Sequence, residues 1–204
     1  MNYIGYKNVN YIEESTLIIN EDVFYNKKYI GEIIKEKIDT ITFDDCIFEN
    51  CTFEKNINNC TFTNCKFINC DLSNIEITKC GLNYISIIDS KLLGTTFIET
   101  SIRNTILENN LSNMVYLSNL KLNNVNFINN NMTNSVIQDT LLKKVNFNDN
   151  NMNSIEIINT SLKNIDLSSN SITNIKTNVN DIKNCTIEYN QIFDLVNLLE
   201  IKIK

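Results

Sequence analysis

The chain has 204 residues, a net charge of −6 and a pI near 4.8. That length sustains one domain with a sizeable core, and a hydrophobic content of 43% is too high for wholesale disorder. The acidity argues against direct binding to nucleic acid, which calls for cations to neutralise phosphates, and no apolar run approaches the ~18 residues of a membrane span. The N-terminus, MNYIGYKNVN, lacks the basic-then-apolar plan of a secretion signal, so a cytoplasmic location is expected. Proline and tryptophan are absent while Asn, Ile and Lys dominate, a bias that AT-rich coding would produce as readily as structural need.

Residues 1–36 show no repeat. Tyr3, Tyr6, Tyr11, Phe24, Tyr25 and Tyr29 give them an aromatic character, and YNKKYIG around Lys27 suits a turn between two short strands. This segment is expected to cap the open edge of whatever follows.

From Ile38 a beat of five begins with Ile38, Phe43, Phe48 and Phe53, loses one residue, and resumes at Ile57. In steps of five from Phe62 to Ile172, every centre is apolar except Ser112. Helices space apolar residues three to four apart and strands two apart, so neither accounts for a strict five. The residue two places before a centre is small or β-branched in nearly every slot, as in Cys60, Cys65, Cys70, Ile75, Thr95, Thr105, Val125 and Val145. Two positions in five therefore point inward and three outward. A longer echo overlies the beat: LENNLSNM from Leu107, FINNNMTN from Phe127, FNDNNMNS from Phe147 and LSSNSITN from Leu167 recur every twenty residues.

In Cys70-Asp71-Leu72-Ser73-Asn74, Ile165-Asp166-Leu167-Ser168-Ser169 and Val145-Asn146-Phe147 the chain resembles the pentapeptide-repeat family, whose consensus is A(D/N)LXX. The resemblance covers residues 38–192. It implies an all-β fold, a right-handed quadrilateral parallel β-helix over residues 37–189, with four pentapeptides to a coil and about eight coils. At ~4.8 Å per coil the rod would be on the order of 38 Å long.

Past Ile187 the pattern changes. Residues 190–199 read as a short amphipathic helix with Asn190 as N-cap, and Glu200–Lys204 alternates like a strand. Ile192, Val196 and Leu199 share one face of the helix, with Phe193 and Leu195 beside it. The ending is similar to the element through which quinolone-resistance pentapeptide proteins dimerise. That resemblance implies a homodimer interface in residues 190–204, with a plain end cap as the alternative.

Little in the sequence suggests catalysis. The seven cysteines, Cys46, Cys51, Cys60, Cys65, Cys70, Cys80 and Cys185, all fall in the inward slot and never in the C-x2-C spacing of zinc sites. They are read as packing residues, with Cys60 and Cys80 stacked in adjacent coils. No histidine is present, which removes His-based nucleophile systems and the commonest transition-metal ligand. No phosphate-cradling glycine loop appears, and Glu13–Glu14 and Asp44–Asp45 read as solvated surface. No enzyme activity, cofactor or metal is expected.

Asn110, Asn130, Asn150 and Asn170, with Asn190 one step on, occupy the inward slot of one face. Amides one coil apart can hydrogen-bond donor to acceptor as a ladder. Ser112, the break in the apolar centres, lies on that face beside Leu111 and Met114, and a local bulge is expected there.

Sorting charges by face separates the surface into stripes. The first face, with centres 102–182, carries Arg103, Lys121, Lys143, Lys144, Lys163 and Lys183. The second, with centres 87–187, carries Asp89, Glu108, Asp149, Asp166 and Glu188. The third, with centres 92–172, is the nearly uncharged asparagine face. The fourth, with centres 77–157, carries Glu76, Glu99, Asp139 and Glu156. The resemblance to quinolone-resistance pentapeptide proteins, dimeric acidic rods, implies a DNA mimic whose partner is a type II topoisomerase, gyrase or topoisomerase IV, engaged through the acidic faces. Two features depart from that model: no loops interrupt the beat after Ile57, and the acidic faces flank a basic one. The alternative is a protein-interaction scaffold of unknown target.

Overall fold

In the computed structural model, which describes residues 10–14, 16–17 and 22–199, the chain winds as a parallel β-solenoid with four sides to each coil. Residues one coil apart lie opposite each other: Phe62 pairs with Leu82, Leu82 with Ile102, and Ile102 with Leu122 on the first face. On the fourth face Ile57, Ile77, Phe97, Leu117, Ile137 and Ile157 form the same kind of column. Most strands are two or three residues long because each centre must point inward and the chain must turn again five residues later. On successive coils, Ser101–Glu108, Lys121–Ile128 and Leu141–Asn148 run through the first corner as strands of eight residues.

The centres are buried along the axis. Phe24, Phe43 and Phe62 stack with ring centroids 5.2 and 4.9 Å apart, and Tyr29, Phe48 and Phe67 stack at 5.2 and 5.0 Å. Such offset stacks add roughly 0.5–1.5 kcal/mol per pair beyond area burial. The inward slots hold small groups because the backbone of the next side begins there. Where the slot is polar, the side chain bonds back to its own coil or the one before: Thr100 Oγ1 donates to the carbonyl of Ile98 at 2.9 Å and Thr95 Oγ1 to that of Leu72 at 2.7 Å.

The corners explain the asparagine content. The residue two places after nearly every centre turns with positive φ, as at Asn64 (53°), Asn104 (50°), Asn124 (57°) and Asn164 (63°). Asn enters this left-handed region at less cost than other side-chain-bearing residues, so structure as well as coding bias selects it. Gly94 holds the same corner at φ 65°, and a Cβ there would come within 2.6 Å of Asn74 Oδ1.

The solenoid begins earlier than the beat of five indicates. Val23–Tyr25, Lys27–Ile30 and Ile33–Ile34 pair in parallel with Thr42–Asp44, Ile47–Glu49 and Thr52–Phe53, so Phe24, Tyr29 and Ile34 are centres of a further coil rather than part of a separate cap. Two coils run short, because the step from Ile34 to Ile38 and that from Phe53 to Ile57 each omit one residue. The first omission hides the earliest coil from a count in fives. The YNKKYIG turn is a coil corner at Asn26, φ 55°, between strands on neighbouring faces. Ile12–Glu14 adds one more strand against Lys27–Tyr29, and the aromatic residues Tyr3 and Tyr6 lie outside the described residues.

The strand-paired body comes to about seven turns, seven strands standing on the fourth face, rather than eight. In the last coil Leu162, Leu167 and Ile172 stay buried, but turns replace the strands and the helix Val179–Ile182 takes the place of a first-face strand. Coil-to-coil bonds persist there, from Leu162 N to Asp181 O at 2.7 Å and from Leu167 N to Thr186 O at 2.8 Å.

No bulge forms at Ser112. Leu111 bridges Lys91 on one side and Asn131 on the other in unbroken register, and Ser112 is buried between the Leu92 and Met132 positions. Ser135 Oγ donates to the Ser112 carbonyl at 2.9 Å, so a small polar centre is accommodated without moving the backbone.

Candidate interaction surfaces

The asparagine face is built from inside. Asn110 Nδ2 donates to Asn130 Oδ1 at 2.9 Å, Asn130 Nδ2 to Asn150 Oδ1 at 3.0 Å, and Asn150 Nδ2 to Asn170 Oδ1 at 3.0 Å. The second amide proton of each goes to a backbone carbonyl: Ile87 for Asn110, Leu107 for Asn130, Phe127 for Asn150 and Phe147 for Asn170. Each Oδ1 from Asn130 to Asn170 also accepts the backbone N–H of the asparagine one coil before. Every buried donor of these side chains is thereby satisfied, and the column presents nothing to a partner.

The next step of the column departs from the expected pattern. Asn190 is exposed and is not an N-cap. Glu188 caps the short turn Tyr189–Gln191 through a reciprocal capping box with Gln191, whose Oε1 accepts from Glu188 N at 2.8 Å. Gln191 is the buried residue, and its Nε2 donates to the carbonyls of Leu167 at 3.0 Å and Asn170 at 2.6 Å. A one-residue shift thus sends a longer amide across the open end of the ladder.

Beyond it, Ile192–Leu195 is a single α-helical turn continued by a 3-10 turn Val196–Leu199, shorter than the expected helix. Leu195 packs on the core and Val196 is half-buried, whereas Phe193 (61% exposed) and Ile192 (46%) face outward with Tyr189 (78%) close by in sequence. The side chain of Leu199 and the strand expected over residues 200–204 lie outside the described residues. The predicted apolar set therefore divides: one member serves the fold and two are left uncovered.

The charged residues occupy the faces assigned to them by register. On the first face Arg103 and Lys143 stand in one column, separated by Asn123. Arg103, Lys121, Lys143, Lys144, Lys163 and Lys183 are all exposed, and none of them makes an ion pair among the described residues. The acidic residues are sparser and more engaged. Asp89 and Glu108 are brought to adjacent coils by the bond from Asp89 N to Glu108 O, 3.0 Å, whereas Asp149 is exposed further along. Ser168, through its hydroxyl and its backbone N–H, holds the Asp166 carboxyl below the usual range.

On the fourth face Glu99 and Asp139 mark alternate corners of one column, about 9.6 Å apart at two coil spacings. Glu99 lies 4.0 Å from Lys79, and Asp139 accepts from Gln138 at 2.9 Å and Asn159 at 3.1 Å. Glu76 accepts from Asn56 at 3.3 Å, and Glu156 stands beside Lys176 in the ladder. The eight carboxylates form interrupted rows, with Asn filling the gaps; they do not converge on one site. Sequence reasoning missed the outer amide ladders, such as Asn129 to Asn109 and Asn124 to Asn104, and the exposed apolar trio Leu93, Leu111 and Met114 on the third face. Counting the polar positions of each five would have found both.

Among the described residues no helix is long and apolar enough to cross a membrane and no cluster of three or more metal-ligating side chains occurs. A family model for the pentapeptide repeat region matches residues 60–135. Two trypsin-treated variants of QnrB1, a plasmid-mediated fluoroquinolone resistance protein, are similar in structure, each with a TM-score of 0.51. Their identities are 14% and 16%; the matches cover 89% and 87% of this chain and 100% and 98% of theirs. HetL, a pentapeptide repeat protein involved in heterocyst differentiation regulation from the cyanobacterium Nostoc sp. strain PCC 7120, matches at 8% identity over 81% of this chain and 85% of its own, with a TM-score of 0.35. No curated protein matches the sequence significantly. Identities this low speak for the fold alone; the chain contains a pentapeptide repeat region over the matched residues, and the same in-phase fives continue in the coils on both sides of them.

Proposed function

We propose that the chain is a non-catalytic rod that occupies the DNA-binding surface of a type II topoisomerase, gyrase or topoisomerase IV, by presenting carboxylates in place of phosphates. The observation that carries this reading is the placement of Asp89, Asp139, Asp149, Asp166, Glu76 and Glu99 as exposed groups on two long faces of a solenoid with net charge −6. The sequence resemblance to quinolone-resistance pentapeptide proteins supports it. The carboxylates are far sparser than duplex phosphates, which supply one charge per about 1.7 Å of axis, so competition with DNA sets in at micromolar rather than nanomolar protein. The test is a gyrase supercoiling and cleavage-complex assay. Inhibition of supercoiling, or protection from a quinolone, is expected at micromolar concentrations. Neither effect at that level sinks the reading.

The unpaired cations of the first face favour a second reading, a scaffold that holds an acidic protein partner. On that reading a pull-down recovers a partner other than a topoisomerase, and charge reversal by K143E and K144E loses it.

A further inference from the structure

The second face carries isoleucines on its outside. Beside the buried centres, Ile30, Ile47, Ile68, Ile88, Ile106 and Ile128 take outward positions on six successive strands, from Lys27–Ile30 to the second half of Lys121–Ile128. None of the six is buried, and Ile30 is 43% exposed. Isoleucine suits a strand, but the first face keeps Thr61, Thr63, Ser101 and Arg103 in the same outward positions, so strand propensity does not require it. Neighbouring strands join the six into one continuous zigzag, and an apolar strip of that length on a sheet facing water marks an interaction surface.

The strip reads the same from either end. Register lines up Ile30, Glu49, Ile68, Ile88, Glu108 and Ile128 as one outward column. In the other column of those six strands only Ile47 and Ile106 are apolar, each one strand further from the midpoint than its polar neighbour. The midpoint falls between Lys66–Ile68 and Ser86–Ile88. It is also the middle of the eight strands that this face has among the described residues, from Ile12–Glu14 to Leu141–Asn148.

A two-fold axis through that point, parallel to the strands, lays a second rod on the first in the opposite direction. Ile68 then meets the second copy's Ile88, Ile47 its Ile106 and Ile30 its Ile128, and each contact occurs twice, as an isologous interface requires. The register is specific. An axis moved to the strand Ser86–Ile88 sets Ile68 on Glu108 and Ile106 on Lys66. Charge selects the direction as well. Rods running the same way bring Asp89, Glu108 and Asp149 of both copies to the same levels, where like charges repel. The reversed rod instead sets the Asp89 coil against that of Lys66, and Glu108 against Glu49, which Lys28 already holds at 3.0 Å.

We propose that the second face is a self-association surface, on which a second copy of this chain packs antiparallel, sheet on sheet, through the isoleucine strip. Eight strands at ~4.8 Å spacing, five residues wide, cover roughly 600 Å² on each copy. The total of about 1,200 Å² is the lower end of a specific interface, so association is expected at hundreds of micromolar rather than at nanomolar concentrations. The fourth face stays uncovered, and Asp166 projects past the end of the second rod.

The test is sedimentation velocity on the full-length chain carrying Phe193→Ala, which takes the exposed phenylalanine of the C-terminal segment out of the comparison. The chain is expected to move from monomer to dimer as concentration rises through the hundreds of micromolar, and to do so in ~0.5 M salt, where contacts between charged faces are screened. Ile88→Lys and Ile106→Lys are each expected to abolish the shift, while Leu141→Lys on the first face leaves it in place. A covalent readout stands apart from any loss of stability in the lysine variants. Ile30 and Ile128 are five coils apart in one chain, about 24 Å, too far for a disulfide, yet they oppose each other between copies. Packed sheets about 10 Å apart accept an inter-sheet disulfide. Ile30→Cys with Ile128→Cys should therefore give a covalent dimer on mild oxidation, and neither single variant nor the parent, whose thiols other than Cys185 are buried, should do so. A monomer at every concentration, a dimer dissolved by salt, a dimer indifferent to Ile88→Lys and Ile106→Lys, or equal cross-linking in the single variants overturns the proposal.

Discussion

At the scale of single residues, asparagine does two jobs that composition cannot separate. At a corner such as Asn129, φ 51°, it is exposed and serves the left-handed turn. At Asn130, the next residue, it is buried and each polar group of the side chain is used: Oδ1 accepts from Asn110 N and Nδ2, while Nδ2 donates to Leu107 O and Asn150 Oδ1. Asn130→Ala therefore strands the Asn110 backbone N–H and one Asn110 side-chain proton, at a cost on the order of 2–4 kcal/mol. Asn130→Asp is expected to be worse at neutral pH, because a carboxylate faces the two acceptors that Nδ2 now serves. The neighbouring Asn129→Asp keeps a residue that tolerates φ > 0 and should stay within about 0.5 kcal/mol of wild type. Urea unfolding midpoints check all three, and equal losses at Asn129 and Asn130 would contradict the division of labour. The inward column was legible from spacing in fives. The role of the corners was not, because φ leaves no periodic signature beyond a preference for Asn that codon bias can imitate.

At the scale of elements, the C-terminal segment separates what holds the coil from what is left for a partner. Gln191 and Leu195 belong to the fold, the first bonding the carbonyls that the last full coil leaves open and the second packing on the core. Their replacement by alanine should lower stability whether or not the chain self-associates. Phe193, 61% exposed, contributes little to its own protomer. If the segment is a homodimer interface, wild type should run as a dimer at tens of micromolar by light scattering, and Phe193→Ala should run as a monomer with an unchanged monomer unfolding midpoint. A monomeric wild type at that concentration removes the interface. The helix was legible as an apolar cluster following the last repeat, but its start was misplaced by position, because Asn190 continues the step of twenty while Glu188 and Gln191 form the actual capping box. Local side-chain-to-backbone bonding prevailed over the repeat.

At the scale of the whole molecule, stability is a sum over coils that contact only their neighbours, and length becomes a variable that can be edited. Leu117 and Ile137 occupy equivalent places one coil apart in the fourth-face column. Removing residues 118–137 joins Leu117 to Gln138 with every later centre still facing the axis. Such a variant should fold, with the strand signal per residue retained by circular dichroism, a lower melting temperature and a maximum dimension shorter by about 4.8 Å in solution scattering. Removing residues 118–136 instead shifts each later centre by one position, turning apolar side chains outward and asparagines into apolar slots. That register error should prevent soluble folding. The short coils sharpen the contrast, since each omits its residue at the same corner, between Ile34 and Ile38 and between Phe53 and Ile57, and both neighbouring columns stay paired across it. Tolerance of nineteen is therefore local to that corner, next to strands of only two residues, Ile33–Ile34 and Thr52–Phe53 before it and Ile38–Asp39 and Ile57–Asn58 after it. If a nineteen-residue deletion is instead taken at residues 119–137, across the corners that follow the fourth face, and folds as well as the twenty-residue one, the corner has no such privilege, and the phase of five does not govern the fold as strictly as the column of buried centres implies.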